Sequence, residues 1–260
     1  NYLAFPKINK KAIIDIKNIS KIKKSKMDNL LPNQIFVETK NKKKFFDFQK
    51  TNIIFNDYPI RKKFSSETKL PVMDIKKEVY VYEDIPRIDI KYVFNFKEFR
   101  PSIFRMNLIN IDSNRFDKKF FGYSTHNGGK LETFPIENTI THDKPINNKI
   151  SSSGCVGATN CTLDIGDRDY GVTIFSDKSI TYSASMINSV KSYRNTTRIM
   201  NTICESDDTT MIQWKGRKEI SYSIFGRKNN HKLIQKTCEN MFLGLIFSSN
   251  NSNIMINGQK

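Results

Sequence analysis

Three carboxylates fall within six residues at Asp164, Asp167 and Asp169, in the run Asp164-Ile165-Gly166-Asp167-Arg168-Asp169-Tyr170-Gly171. Oxygen ligands at this density suit a hard cation such as calcium, but the loop frame that closes on a bidentate Glu at its twelfth position is missing. Carboxylates also accept backbone N–H bonds in tight turns, and Arg168 is placed to pair locally. The segment is therefore read as a structural connection into a buried strand at Val172–Phe175, with calcium at Asp164, Asp167 and Asp169 as the rival. On the structural reading, Gly166 and Gly171 supply backbone angles closed to other residues. The three Asp side chains accept bonds from loop amides.

A second candidate is Tyr123-Ser124-Thr125-His126-Asn127-Gly128-Gly129-Lys130. Nucleophilic catalysis needs a base within hydrogen-bond reach of the nucleophile and a third group to orient it. Adjacency of Ser124 and His126 supplies neither. The glycines make a turn, since G-x-G-x-x-G and the P-loop are both absent. His126 and Asn127 remain candidates for contact with a polar ligand. Trp214, the only tryptophan, could stack on a sugar ring, although on the run TMIQW it reads as core. Glycoside hydrolysis needs two carboxyl groups about 5–9 Å apart. Glu83 with Asp84, Glu132 with Glu137, and Glu205 with Asp207 or Asp208 are available, and nothing singles one pair out. Cys155, Cys161, Cys204 and Cys238 include no C-x-x-C, and only His126, His142 and His231 accompany them. The paired short spacings of a structural zinc site are therefore absent. Four cysteines are too few for a disulfide scaffold, and Cys155 and Cys161 are expected reduced.

The elements that would hold these residues are short and β-like. Ala12–Ile16, Gln34–Glu38, Asn52–Phe55, Glu78–Tyr82, Ile88–Phe96, Ile103–Ile111, Gly171–Phe175, Thr210–Trp214 and Glu219–Phe225 are rich in Ile, Val, Phe and Tyr. Several alternate as half-buried antiparallel strands do. In Ile88–Phe96 the set Ile88, Ile90, Tyr92, Phe94 and Phe96 falls on one face, and Val93 interrupts the polar one. One helix is expected after a cap at Asn229 or Asn230, carrying Leu233, Ile234, Cys238, Met241 and Phe242. No βαβ alternation is visible, which excludes a doubly wound parallel sheet.

With 260 residues, 12% of them aromatic, the chain can bury a sizeable core and is not disordered. No run of about 18 apolar residues exists to form a transmembrane helix. Asn1 opens the sequence without a charged n-region and an apolar h-region, so no signal peptide is read and localisation is left open. The net charge is +17. Residues 1–70 hold 17 Lys+Arg against 6 Asp+Glu and so carry +11 of it, with lysine clusters within Lys21–Lys44. Such a segment can bind a polyanion or an anionic surface. The abundance of Lys, Asn and Ile also matches the bias of an AT-rich genome, which makes part of this charge compositional.

Taken in order, these segments resemble the β-rich region that follows the catalytic domain in family 38 glycoside hydrolases, the α-mannosidases. Asn1–Lys7 followed by Ala12-Ile13-Ile14 is similar to the start of that region, and Gln34 follows it. Tyr82–Asp89 and Ile90–Phe96 resemble its Asp-containing strand. Asp164–Asp177 (DIGDRDYGVTIFSD) is similar to the family's D-x-S-D-G-D-Y-G-V segment and is the sharpest match. Glu219–Phe225 and the helix after it resemble a further strand–helix unit. The family's Pro-His there is Gly226-Arg227 in this chain, Lys7 stands for an Arg, and Lys21–Lys44 and Ser151–Cys161 have no counterpart.

The resemblance implies an all-β fold, a large antiparallel β-supersandwich of the galactose-mutarotase-like kind. It would comprise a basic β lobe or leading hairpins over 1–70, the supersandwich over 71–260 and one short helix. It also implies a non-catalytic module that partners a catalytic domain and a glycan. The family's zinc ligands and nucleophile belong to that other domain, so none is assigned here. The alternative is a polyanion-binding or surface-attachment β protein that uses residues 1–70.

Overall fold

The structure, a computed structural model, describes residues 33–47, 51–112, 116–117, 119–127, 130–135, 154–177, 180–187, 196–206, 209, 212–228, 232 and 234–236. Their strands are β1 (Ile35–Thr39), β2 (Lys44–Phe46), β3 (Ile53–Asp57), β4 (Arg61–Lys69), β5 (Met73–Tyr82), β6 (Arg87–Phe99), β7 (Pro101–Asp112) and β8 (Gly122–His126). They continue with β9 (Leu131–Pro135), β10 (Gly154–Thr159), β11 (Thr162–Gly166), β12 (Tyr170–Ser176), β13 (Ile180–Ile187), β14 (Thr196–Glu205) and β15 (Trp214–Lys228). A six-stranded sheet runs β10-β13-β14-β7-β1-β2, and a nine-stranded sheet runs β3-β4-β5-β6-β15-β12-β11-β8-β9. Neighbouring strands are antiparallel throughout both sheets. The all-β antiparallel architecture expected from the alternating runs is the one observed.

Alternation decides which face meets the other sheet. On β6, Ile88, Ile90, Tyr92, Phe94 and Phe96 are buried, while Asp89, Lys91 and Val93 lie on the outer face and are only partly covered. The inner rings form a stack, Tyr92 on Phe94 at 5.7 Å and Phe94 on Phe96 at 5.7 Å. Phe104 of β7, in the opposite sheet, meets Phe94 edge-on at 5.4 Å. This aromatic contact locks the two layers together. Ile220, Tyr222 and Ile224 of β15, Met73 and Ile75 of β5, and Ile35 and Val37 of β1 complete the centre.

Residues 35–69 are divided between the layers, with β1 and β2 beside β7, and β3 and β4 beside β5. The Thr210–Trp214 run is a correction. Residues 212 and 213 are outside any strand, and Trp214 is instead the first residue of β15. The pairing with β6 shifts between Trp214 and Gly216, and Gly216 has φ of 89°. A glycine is needed at that bulge because a side chain would be strained there. Of the expected helix, residues 232 and 234–236 are helical, and Ile234 is buried. The rest of that helix, Ala12–Ile16, Glu137, Asp207, Asp208 and Cys238 lie outside the described residues, as does the side chain of Cys155.

Candidate functional site

The sharpest sequence motif folds into the β11–β12 hairpin. Asp167 N–H donates to Tyr170 O at 2.9 Å and closes it. Asp167 is the turn's acceptor. Its Oδ1 takes the N–H groups of Asp169 and Tyr170, each at 2.8 Å, and its Oδ2 takes Asp117 N–H at 2.8 Å. Asp169 and Arg168 are exposed. Arg168 does not pair with a neighbouring Asp; its guanidinium lies 3.6 Å over the Phe120 ring.

Asp164 sits on β11, not in the turn, and is 1% exposed. Its Oδ1 accepts Thr173 Oγ1–H at 2.6 Å and Arg227 Nε–H at 2.8 Å. Arg227, on β15, is itself 5% exposed, and its Nη2 donates to Asp167 O at 3.0 Å. A guanidinium reaching from β15 across β12 to β11 needs a bare backbone beneath it. A Cβ on Gly171 would stand 2.4 Å from Arg227 Nη2, and one on Gly166 would stand 2.1 Å from Tyr170 O and 2.4 Å from Gly171 Cα. Neither glycine has the positive φ expected of it, since Gly216 alone does among the described glycines. Space for Arg227, and contact between the two strands, is what these positions require. Arg227 belongs to no motif and is not among the expected site residues. Its signal is a charged residue two positions after the alternating run Glu219–Phe225, where the family resemblance also breaks.

Ser124 extends this polar row. It lies opposite Asp164 on β8, and its hydroxyl pairs with Thr133 Oγ1 at 2.8 Å. His126 follows at 2% exposure, its backbone N–H donating to Thr159 Oγ1 at 3.1 Å. The buried atoms His126 Nδ1 and Arg227 Nη1 hydrogen-bond to no described residue. Asn127 is exposed at the end of the strand. Trp214 is elsewhere. It pairs with Phe99 and packs on Phe96 at 5.0 Å and Phe104 at 5.8 Å. Eight residues of strand, about 26 Å, separate it from Tyr222, which is level with the last pair of β12. The fold thus unites Asp164 and Asp167 with Arg227, and sets His126 and Asn127 well apart from Trp214.

A second engaged acid, Asp89, lies on the outer face of β6 and bridges to β5 and β15. Asp89 accepts Arg87 Nε–H, Ser223 Oγ–H and Tyr82 OH, each at 2.7 Å. Burial pushes the Asp89 carboxyl up, and these three donors outweigh it and hold it below the ordinary Asp value. Three strand spacings, roughly 14 Å, divide Asp89 from Asp164, too far for an acid pair across one glycosidic bond. Among the described residues no three His, Cys, Asp or Glu side chains converge as a metal site would require. The nearby hollow of about 410 Å³ on the same face is lined by Glu67, Lys69, Glu78, Lys91, Asn95 and Arg217 among others. Several of these charges are already paired, as in Lys63–Glu78 at 2.9 Å and Lys91–Glu219 at 2.8 Å.

Several of the other acids and lysines are paired as well. Glu83 meets Lys62 at 2.6 Å, and Glu205 meets Arg105 at 2.6 Å. Lys42 and Lys44 both face Glu38, at 3.5 and 3.4 Å.

The Asp-rich turn can be tested directly. Asp167→Ala removes one acceptor from three amides, which should lower stability by about 1–3 kcal/mol. The wild-type melting temperature should be the same in chelator and in calcium. A calcium-dependent rise in the wild type that Asp167→Ala lacks would establish the cation site instead.

No protein-family model and no curated protein matches the chain. Solved structures do match its fold. An α-mannosidase from Enterococcus faecalis V583 superposes with a TM-score of 0.50 at 9% identity, over 81% of this chain and 27% of that one. A glycosyl hydrolase family 38 protein from Enterococcus faecalis gives 0.49 at 10% identity, over 81% and 28%. The galactosidase domain of the α-galactosidase-sucrose kinase AgaSK gives 0.48 at 8% identity, over 75% and 30%. The chain spans less than a third of each of these structures. What this chain shares with part of an α-mannosidase is therefore its fold.

Proposed function

We propose that this chain is a non-catalytic β module of a carbohydrate-active enzyme of the α-mannosidase kind. It buttresses a catalytic domain and lends loops to the rim of a glycan site. The observation that carries this reading is the fate of Asp164. The most deeply placed acid of the sharpest family-like motif is 1% exposed and engaged by Thr173 and Arg227, where it holds three strands together. The shared fold with part of an α-mannosidase supports the same reading. In it, the bond-breaking groups and any zinc belong to a domain outside these residues. Asn127, exposed at the end of β8, is the candidate for the glycan rim, with His126 as its buried support and Trp214 as part of the core. The rival polyanion reading gains little from Lys42, Lys44, Lys62 and Lys63, since each faces a glutamate.

The complete gene product tests the proposal. An α/β domain with His and Asp zinc ligands before Asn1, or a separate glycosidase chain that co-purifies, is expected. A product that starts at Asn1 and purifies without any such chain would overturn it.

A further inference from the structure

The free edge of the nine-stranded sheet is unlike the rest of the surface. β3 has no neighbour beyond it among the described residues. Its side chains are exposed on both faces, with Ile53 at 40%, Ile54 at 64% and Phe55 at 50%, and the turn that follows adds Tyr58 at 47% and Ile60 at 73%. Edge strands that remain solitary are blunted by lysine, proline, bulges or a covering segment. The residues of β3, IIFND, contain no lysine and no proline, and its pairing with β4 is unbroken from Ile53 to Asp57. At the other end of the sheet the β9 edge is capped where Gln235 Oε1 accepts Leu131 N–H at 2.5 Å.

Backbone geometry identifies which groups of β3 are unpaired. Tyr58 N–H donates to Arg61 O at 3.1 Å, so Tyr58 faces β4. Hydrogen-bonding residues alternate along an antiparallel pair. Asn56 and Ile54 therefore also face β4, while Ile53, Phe55 and Asp57 aim their N–H and C=O groups outward.

We infer that β3 is the dimer edge of this protein, pairing antiparallel with β3 of a second copy about a two-fold axis at Phe55. This register is self-complementary. Phe55 meets Phe55 of the other copy, and Ile53 meets Asp57 in both directions. All three outward N–H groups and all three outward C=O groups of each copy then find partners. The charges permit the approach, because the lysines on β4 that flank the edge are neutralised within the chain, Lys62 by Glu83 and Lys63 by Glu78.

Exposed apolar surface sets the ceiling of such a contact. At about 200 Å² for a large side chain, Ile53, Ile54 and Phe55 offer roughly 300 Å² per copy, and Tyr58 and Ile60 in the adjoining turn raise this to roughly 500 Å². Two copies then reach at most about 1,000 Å², the size at which a specific interface begins. A two-fold pairing closes on itself, whereas β3 against the capped β9 edge would propagate as a filament.

Light scattering and sedimentation of the 260-residue protein across micromolar concentrations test this. The wild type should dimerise. Phe55→Pro deletes an outward N–H, which an edge strand tolerates, together with the ring that packs on Phe64 at 5.2 Å, and Ile54→Lys adds a charge at an exposed position. Each should weaken dimerisation by at least about tenfold while the circular dichroism of the monomer stays that of the wild type. If Phe55→Pro fails to fold, Ile54→Lys decides alone. A wild type that stays monomeric throughout, or a dimer indifferent to Ile54→Lys, would overturn the assignment. Neither result bears on whether the chain is a glycosidase module.

Discussion

Gly166→Ala should be among the most damaging single-methyl changes in this protein. The added Cβ would meet the Tyr170 carbonyl oxygen at 2.1 Å and Gly171 Cα at 2.4 Å, and both are backbone atoms that no rotamer change can move aside. Gly166 and Gly171 are directly paired across β11 and β12, so relief requires opening the hairpin. A loss of roughly 3 kcal/mol or more is expected, which for a domain near this size corresponds to a fall of about 6–12 °C in Tm. Gly171→Ala should cost less. The three atoms nearest its Cβ all belong to the Arg227 guanidinium, which can swing away at the expense of its bond to Asp164. Thermal denaturation followed by circular dichroism gives the order. If both variants melt within about 2 °C of the wild type, less than 1 kcal/mol on that scale, the close packing of the guanidinium against these glycines is wrong.

Arg227→Ala should be comparably severe for an electrostatic reason. It leaves Asp164 buried with only Thr173 as donor, and removing one member of a buried ion pair costs about 3–5 kcal/mol. Arg227→Lys should recover part of this, because an ammonium can reach Asp164 or the Asp167 carbonyl but lacks the fork that serves both. The informative variant is the pair Asp164→Leu with Arg227→Met. Replacing both charges with apolar groups of similar volume is often neutral or better, so the double variant should be more stable than Arg227→Ala alone. Urea unfolding at constant pH measures these proteins together with Asp164→Leu and Arg227→Met alone, which complete the double-mutant cycle. Additive losses would show that the two side chains are not coupled.

Much of the β framework was legible because its core strands alternate. The inner set of β6 reads directly from Ile88, Ile90, Tyr92, Phe94 and Phe96, and the antiparallel class follows from the absence of crossover helices. Strands with little apolar content were not legible. β4, RKKFSSETK, has one large apolar residue, Phe64, and is held by pairing on both sides. β8 and β11 are short and carry a buried polar row on one face, so Ser124 and Asp164 break the apolar pattern that marks a buried strand. The hairpin at Asp164–Gly171 was recognised as structural, and Asp167 plays the acceptor role expected of it. The roles of its glycines were misassigned, since periodicity carries no information about a guanidinium arriving from a strand some 60 residues later. For the same reason Trp214 could not be separated from His126 and Asn127 on sequence alone. Their distance depends on where β15 is paired.

The central claim is that these residues contribute structure to a glycosidase and not the groups that break the bond. Release of nitrophenol from an aryl α-mannoside by the purified 260-residue protein, with and without added zinc, tests it most directly. The account predicts release no faster than in buffer alone under either condition. Turnover that persists through purification and disappears in His126→Ala or on chelation would contradict it, and would make the end of β8 an active site.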